Sequence, residues 1–222
     1  MKKFLINFAA CILILTCAFS APLSQTALIP ETGFLMDFYL DEPENLSTLP
    51  EFVNEVATSG NSDQIAGVFL TDILELPVVQ QPSDNPGYVS STPDTATQFR
   101  MVNQFGSIAL LAHNNLAGGK FFDLKIDQIL SLVFGDGNVA YYRIVKVLEY
   151  QALAPTSPYS SFIDMHDPEG KVISVTDLFY GIYGKANQLI LQTCIEAAGQ
   201  SSWGRLFVIA IPVEPFPPAS SM

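Results

Sequence analysis

Three residue types that together perform nucleophilic acyl chemistry stand at His113, Cys194 and Arg205. Two of the chain's three cysteines, Cys11 and Cys17, fall in an apolar N-terminal stretch, which leaves Cys194 as the one thiol of the remaining sequence. Oxidising compartments favour cysteines in pairs, so a single thiol in an exported chain points to reactivity. Cys194 ends the strand-like run Leu189-Ile190-Leu191-Gln192-Thr193-Cys194, and Arg205 opens the next, Arg205-Leu206-Phe207-Val208-Ile209-Ala210-Ile211. A hairpin of these two runs would set a nucleophile opposite a cation. A thiol with its ordinary pKa near ~8.5 is only a few per cent thiolate at neutral pH, so it gains from a nearby imidazole or cation. His113 sits where an apolar run gives way to Asn114-Asn115. It would protonate the leaving amine when Cys194 attacks a peptide carbonyl and deprotonate the incoming one. Arg205 keeps its charge and offers a rigid fork of donors to an oxyanion. The chemistry expected is acyl transfer through a thioester, with His166, in Asp164-Met165-His166-Asp167, as the rival imidazole.

Other chemistries find less support. Two histidines and this cysteine lack the clustered spacing of a zinc site. No Gly-x-Ser-x-Gly elbow is present, and Gly118-Gly119-Lys120 lacks the frame of a phosphate loop. A calcium site has no Asp-x-Asp-x-Asp loop behind it, so neither a metal nor an organic cofactor is expected.

The elements that must position these residues begin after an export signal. Lys2 and Lys3 precede an apolar run from Phe4 to Phe19, and residues 1–20 read as a signal peptide or a retained signal anchor. If retained, the segment ties the protein to the membrane and leaves the remainder outside. Beyond it stand eight Lys and Arg against twenty-two Asp and Glu, a net charge of −14 that argues against nucleic acid or anionic lipid as partner. Residues 21–63 form a spacer rich in Pro, Ser, Thr and Glu, with one apolar patch over residues 34–40 and a short amphipathic helix predicted over Leu49–Val56. From about residue 64 to 212 β-branched and aromatic runs alternate with Gly, Pro and Asn, the pattern of an all-β domain. Strands are predicted at Gly67–Leu76, Val78–Gln80, Ser107–Leu111, Ala140–Tyr150, Lys171–Val175, Leu189–Thr193 and Leu206–Ile211, with helices at Asp123–Phe134 and Val175–Tyr183. The Pro-rich tail, residues 213–222, is expected to add no strand, and neither is Pro212.

Several of these segments resemble the sortases, membrane-associated cysteine transpeptidases, over about residues 65–211. The run Gly67–Val79 with its Leu76-Pro77-Val78-Val79 step, the histidine segment Ala109-Leu110-Leu111-Ala112-His113 followed by Phe121-Phe122-Asp123-Leu124, Leu191-Gln192-Thr193-Cys194 and Trp203-Gly204-Arg205 carry the resemblance. Ala112 departs from it, since many sortases have Gly before the histidine. The resemblance implies a closed or nearly closed β-barrel of seven to eight strands with one or two short helices, closure also removing exposed edges. It implies His113, Cys194 and Arg205 as catalytic residues, a supporting role for Thr193 at the cleft, and a Leu-Pro-x-Thr-Gly-like sorting peptide as substrate. Ala109, Leu111 and Ile190 would hold that peptide's Leu and Pro. The acyl part would pass to an amine on a wall component or another protein at the cell surface. Leu28-Ile29-Pro30-Glu31-Thr32-Gly33, in the spacer, is close to the same signal and reads as a chance linker or a pseudosubstrate. Two other function classes remain beside this one: a different secreted Cys–His peptidase or peptidoglycan transpeptidase, and a non-catalytic surface binding module on the same scaffold. The enzymatic reading requires the three side chains to meet in a groove that a peptide can enter.

Overall fold

Apolar runs this short bury their surface by pairing, and here the pairing runs full circle. The structure is a computed structural model that describes residues 47–214. The signal segment, most of the spacer with Leu28–Gly33 and the patch at 34–40, and residues 215–222 of the tail lie outside the described residues. Eight strands close the barrel: β1 (Ile65–Leu70), β2 (Leu74–Gln80), β3 (Ala96–Gln98), β4 (Ile108–Leu111), β5 (Ile129–Phe134), β6 (Val139–Ala152), β9 (Leu189–Ala197) and β10 (Gln200–Val213), in the order β10-β9-β4-β3-β2-β1-β5-β6. Pairing of β10 with β6, from Gly204↔Gln151 to Val213↔Tyr141, completes the circle. Short strands β7 (Phe162–Asp164) and β8 (Val172–Ile173) extend the sheet outward from β6. The barrel is mixed, because β2–β3 and β4–β9 pair in parallel. It is thus the closed, eight-stranded form of the expected all-β architecture.

Two apolar cores explain why the central runs read as continuously apolar rather than alternating. Val68, Leu76, Leu132, Leu191, Leu206 and Val208 fill one cluster. The opposite face of β4, β9 and β10 is covered by helix α2 (Val175–Tyr183), which packs Leu178, Phe179, Ile182 and Tyr183 over Ala109, Leu111, Ile190, Phe207 and Ile209. A strand buried on both faces has no polar side to show.

Helix α1 (Leu49–Val56) and α2 form over the ranges the sequence predicts. Predicted helix Asp123–Phe134 does not form. Asp127 takes a left-handed φ of 71°, which halts a helix, and Ile129–Phe134 pairs instead with β1 and β6. A short apolar run satisfies helical and extended spacing alike, so length and register decide between them. Gly67–Leu76 splits into two strands at a turn where Asp72 has φ 62°. The three-residue strands β3 and β7 carry too few residues to show a period. Pro212 pairs within β10, opposite Tyr142 of β6. Pairing with β9 ends at Ala210, so beyond it β10 is an edge on that side, where a missing N–H is tolerated.

The packed unit starts upstream of residue 64. Phe52 of α1 is buried against Phe69, ring centroids 5.5 Å apart, and against Val133. Phe52→Ala should lower unfolding free energy by about 3 kcal/mol or more in urea titration, whereas a value near zero would make α1 an appendage of the spacer.

Candidate functional site

Strand register sets the site. Cys194 on β9 and Arg205 on β10 are direct antiparallel partners, and Arg205 in turn pairs with Tyr150 on β6. On the other side of β9, β4 runs parallel to it from Ile108↔Leu189 to Leu111↔Gln192. The ladder stops there; Ala112 N–H still donates to Gln192 O at 3.2 Å, and His113, the next residue, leaves the sheet into a turn. Alternation then puts Cys194, Arg205 and Tyr150 on one face, in a row across three adjacent strands about 4.8 Å apart, and His113 follows just past the end of the neighbouring strand β4. Cys194 is the sixth of nine residues in β9, well inside the strand rather than at its end.

The chain around His113 is held tightly. Leu116 and Gly118 N–H both donate to His113 O, at 3.0 and 2.9 Å. Thr193 points to the opposite face from Cys194, where its Oγ1 donates to Ala112 O at 2.9 Å. Its place is therefore beneath the histidine segment and away from any peptide on the cysteine face. Gly118 makes this arrangement possible, since a Cβ there would come within 2.7 Å of Ala112 O and 2.8 Å of His113 O and press on Thr193 Oγ1.

A bulge adjoins the cysteine. Gln200 pairs with Ala197 and Gly204 with Ile195, so four steps of β10 oppose two of β9 around Trp203. Such insertions bend a strand and re-aim its neighbours. The bulge is fastened from two sides: Asn114 Nδ2 donates to Ser201 O at 3.4 Å, and Ser202 Oγ to Pro155 O of the β6–β7 loop at 3.2 Å. Arg205 folds back on it, with Nη1 donating to Ser202 O at 2.9 Å and Gly204 O at 2.8 Å. The absent Cβ of Gly204 lets the backbone pass Tyr150 O, which a Cβ would meet at 2.7 Å.

The row is closed over. Cys194, in no disulfide, is 0% exposed and Arg205 2%, and Ala109, Leu111 and Ile190, expected to hold a substrate, are buried under α2, Phe99 and Val102. His113 alone reaches a small hollow, with Ser91, Asn115 and Leu116, and its Nδ1 is buried with no hydrogen-bond partner. A cleft of about 310 Å³ between β6 and α2 borders the row at Tyr150, with Asp164 of β7 beside it, but Cys194 does not line it. Cys194 and Arg205 are thus register partners with His113 just past the end of the next strand, while the entry that a peptide needs is shut in this conformation.

His166 lies elsewhere. It occupies the exposed turn after β7, with Nδ1 3.8 Å from Asp164 Oδ1, and Asp164 pairs with Tyr150. Strands β6 and β10 separate it from β9, a span of about 14 Å at the usual strand spacing.

Two polar residues on the cysteine face escaped sequence reasoning. Gln192, two residues before Cys194, is 0% exposed, and the hydroxyl of Tyr183 on α2 donates to its Oε1. Burial pushes the Tyr183 hydroxyl pKa well up, against a smaller opposing pull from the Arg205 charge. One signal was available for Gln192: an amide in the middle of a strand otherwise apolar as far as Leu191.

No protein-family model matches the chain, and no curated protein does. Its structural neighbours include sortases. Sortase A from Corynebacterium diphtheriae is 13% identical at a TM-score of 0.46, covering 73% of this chain and 66% of its own, so the present chain spans just under two thirds of it. Sortase A of Listeria monocytogenes is 12% identical, TM-score 0.40, covering 68% of this chain and 89% of its own. Sortase C1 from Streptococcus suis is 14% identical, TM-score 0.43, covering 78% and 82%. These likenesses carry no residue roles to this chain.

Gly118→Ala tests how that row is assembled. The added methyl should displace the His113 turn, lower stability by about 1–3 kcal/mol as overpacking does, and shift the His113 imidazole resonances in NMR spectra. Unchanged His113 resonances would show that the turn is set by something other than this contact.

Proposed function

We propose that the chain is an exported, sortase-like cysteine transpeptidase of the cell surface. The observation that supports it is the register that pairs Cys194 with Arg205 on one barrel face, with His113 just past the end of the neighbouring strand β4. Cys194 Sγ attacks a peptide carbonyl, and the carbonyl oxygen takes the negative charge beside the Arg205 fork. The C–N bond then breaks as His113 gives a proton to the leaving amine, leaving a thioester on Cys194. An incoming amine loses its proton to His113, attacks the thioester and expels the thiolate. The peptide is a Leu-Pro-x-Thr-Gly-like sorting signal, and the acceptor an amine on a wall component or another protein. Residues 1–20, if retained, supply the membrane tether, since among the described residues no helix is long and apolar enough to cross a membrane. The chemistry calls for no metal or organic cofactor.

Because the sulfur is enclosed, reaction requires α2 with Tyr183, or the loop fastened at Ser202, to withdraw. The same enclosure favours one alternative, a non-catalytic binding module on this barrel. One experiment separates them: the full chain incubated with a Leu-Pro-x-Thr-Gly peptide and a primary amine, read by intact mass. The transpeptidase gives a thioester adduct on Cys194 and a peptide–amine product. Cys194→Ala abolishes both, and His113→Ala and Arg205→Ala slow turnover by at least ~100-fold, with Arg205→Lys also poor because a point charge does not replace the fork. No adduct, or one that survives Cys194→Ala, overturns the proposal, and near-normal turnover by His113→Ala removes His113 from the acid–base role.

A further inference from the structure

We propose that Gln192 is a specificity-determining residue of the Cys194 face, reading an uncharged polar side chain of the bound peptide, and that Tyr183 occupies its place in the closed state. The inference rests on the reading of that face as a peptide groove. Gln192 lies on β9 between Ile190 and Cys194, and all three share the face that α2 covers. Its side chain is 0% exposed. Tyr183 satisfies Oε1, but the buried Nε2 has no hydrogen-bond partner. A buried donor left unpaired is costly, and apolar packing alone would be served better by an aliphatic residue. The floor around it is of that apolar kind, with Leu111 opposite on β4 and Phe207 opposite on β10.

The geometry fixes what would relieve the defect. Gln192 stands two residues, about 7 Å, along the strand from Cys194. An extended peptide with its carbonyl at Sγ therefore sets a residue two positions away over the amide. A carboxamide or hydroxyl there accepts from Nε2 and replaces the Tyr183 hydroxyl on Oε1. An aliphatic side chain satisfies neither atom, and sites built to hydrogen-bond reject analogues that cannot. Opening then becomes an exchange: α2 lifts, one hydrogen bond to Gln192 breaks, and two form with the peptide.

The test uses the full chain carrying Cys194→Ala, so that binding is read without chemistry, with fluorescent Leu-Pro-x-Thr-Gly peptides in which each position is varied in turn among Asn, Gln, Ser, Leu and Val. At one position the polar set should bind about 10-fold or more tighter than the aliphatic set, and adding Gln192→Leu, close in size, should reverse that order. Tyr183→Phe, which keeps the ring and removes the competing hydroxyl, should tighten the polar peptides roughly 2- to 10-fold; this arm decides the matter if Gln192→Leu fails to fold. The same ranking with Gln or Leu at 192, an aliphatic preference in the Gln192 protein, binding unaffected by Tyr183→Phe, or no peptide bound overturns the inference. Acylation of Cys194 in the unmutated chain is scored separately. A Gln192-dependent preference without acylation supports this assignment and removes the transpeptidase, while acylation with no such preference does the reverse.

Discussion

Antiparallel pairing of β9 with β10 is the constraint on which the site depends. With Cys194 and Arg205 as register partners, a slip of one residue would turn one of them to the other face and dissolve the pair. The slip is resisted from both sides. Leu191, Leu206 and Val208 must point into one core while Ile190, Phe207 and Ile209 point into the other. The β9–β10 turn at Ala198 and Gly199, both at positive φ, fixes the starting phase, and the bulge at 200–204 resets it before Arg205. The parallel ladder with β4, which ends at Leu111, then sets where His113 leaves the sheet.

That double burial has a cost for chemistry. Cys194 shares its core cluster with Tyr150, Phe207 and Tyr183, and a thiol buried among such rings is out of reach of a peptide. The same packing that makes the row accurate also encloses it. What relieves the contradiction is the composition of the cover. Tyr183 is tied to the floor by a hydrogen bond to Gln192, the β6–β7 loop by a contact between Ser202 and Pro155, and Gln192 and His113 each retain a buried atom with no partner. A lid whose underside leaves polar atoms unsatisfied is cheaper to lift than a wholly apolar one.

Much of this was legible in the residues, and the exceptions have physical causes. The positions of most main strands, the α2 range and the hairpin relation of Cys194 to Arg205 followed from long runs with strong punctuation. Asp123–Phe134 misled because an apolar run of this length fits either period, and tertiary pairing with β1 and β6 chose between them. Burial of Ala109, Leu111 and Ile190 under α2 was beyond sequence reasoning, since apolar residues in a groove floor and in a core are the same residues. Thr193 was half legible: alternation places it away from Cys194, but its bond to Ala112 O and its contact with Gly118 depend on strands brought together from 81 positions apart.

The central claim is that Cys194 is exposed by a local opening of its cover while the barrel stays folded. The measurement that addresses it most directly is the rate of Cys194 alkylation as a function of urea, beside the global unfolding transition of the same protein. The account predicts labelling at low urea whose dependence on denaturant is far shallower than that of global unfolding. Labelling that follows the global unfolding slope down to zero urea would make Cys194 a core residue and contradict the account.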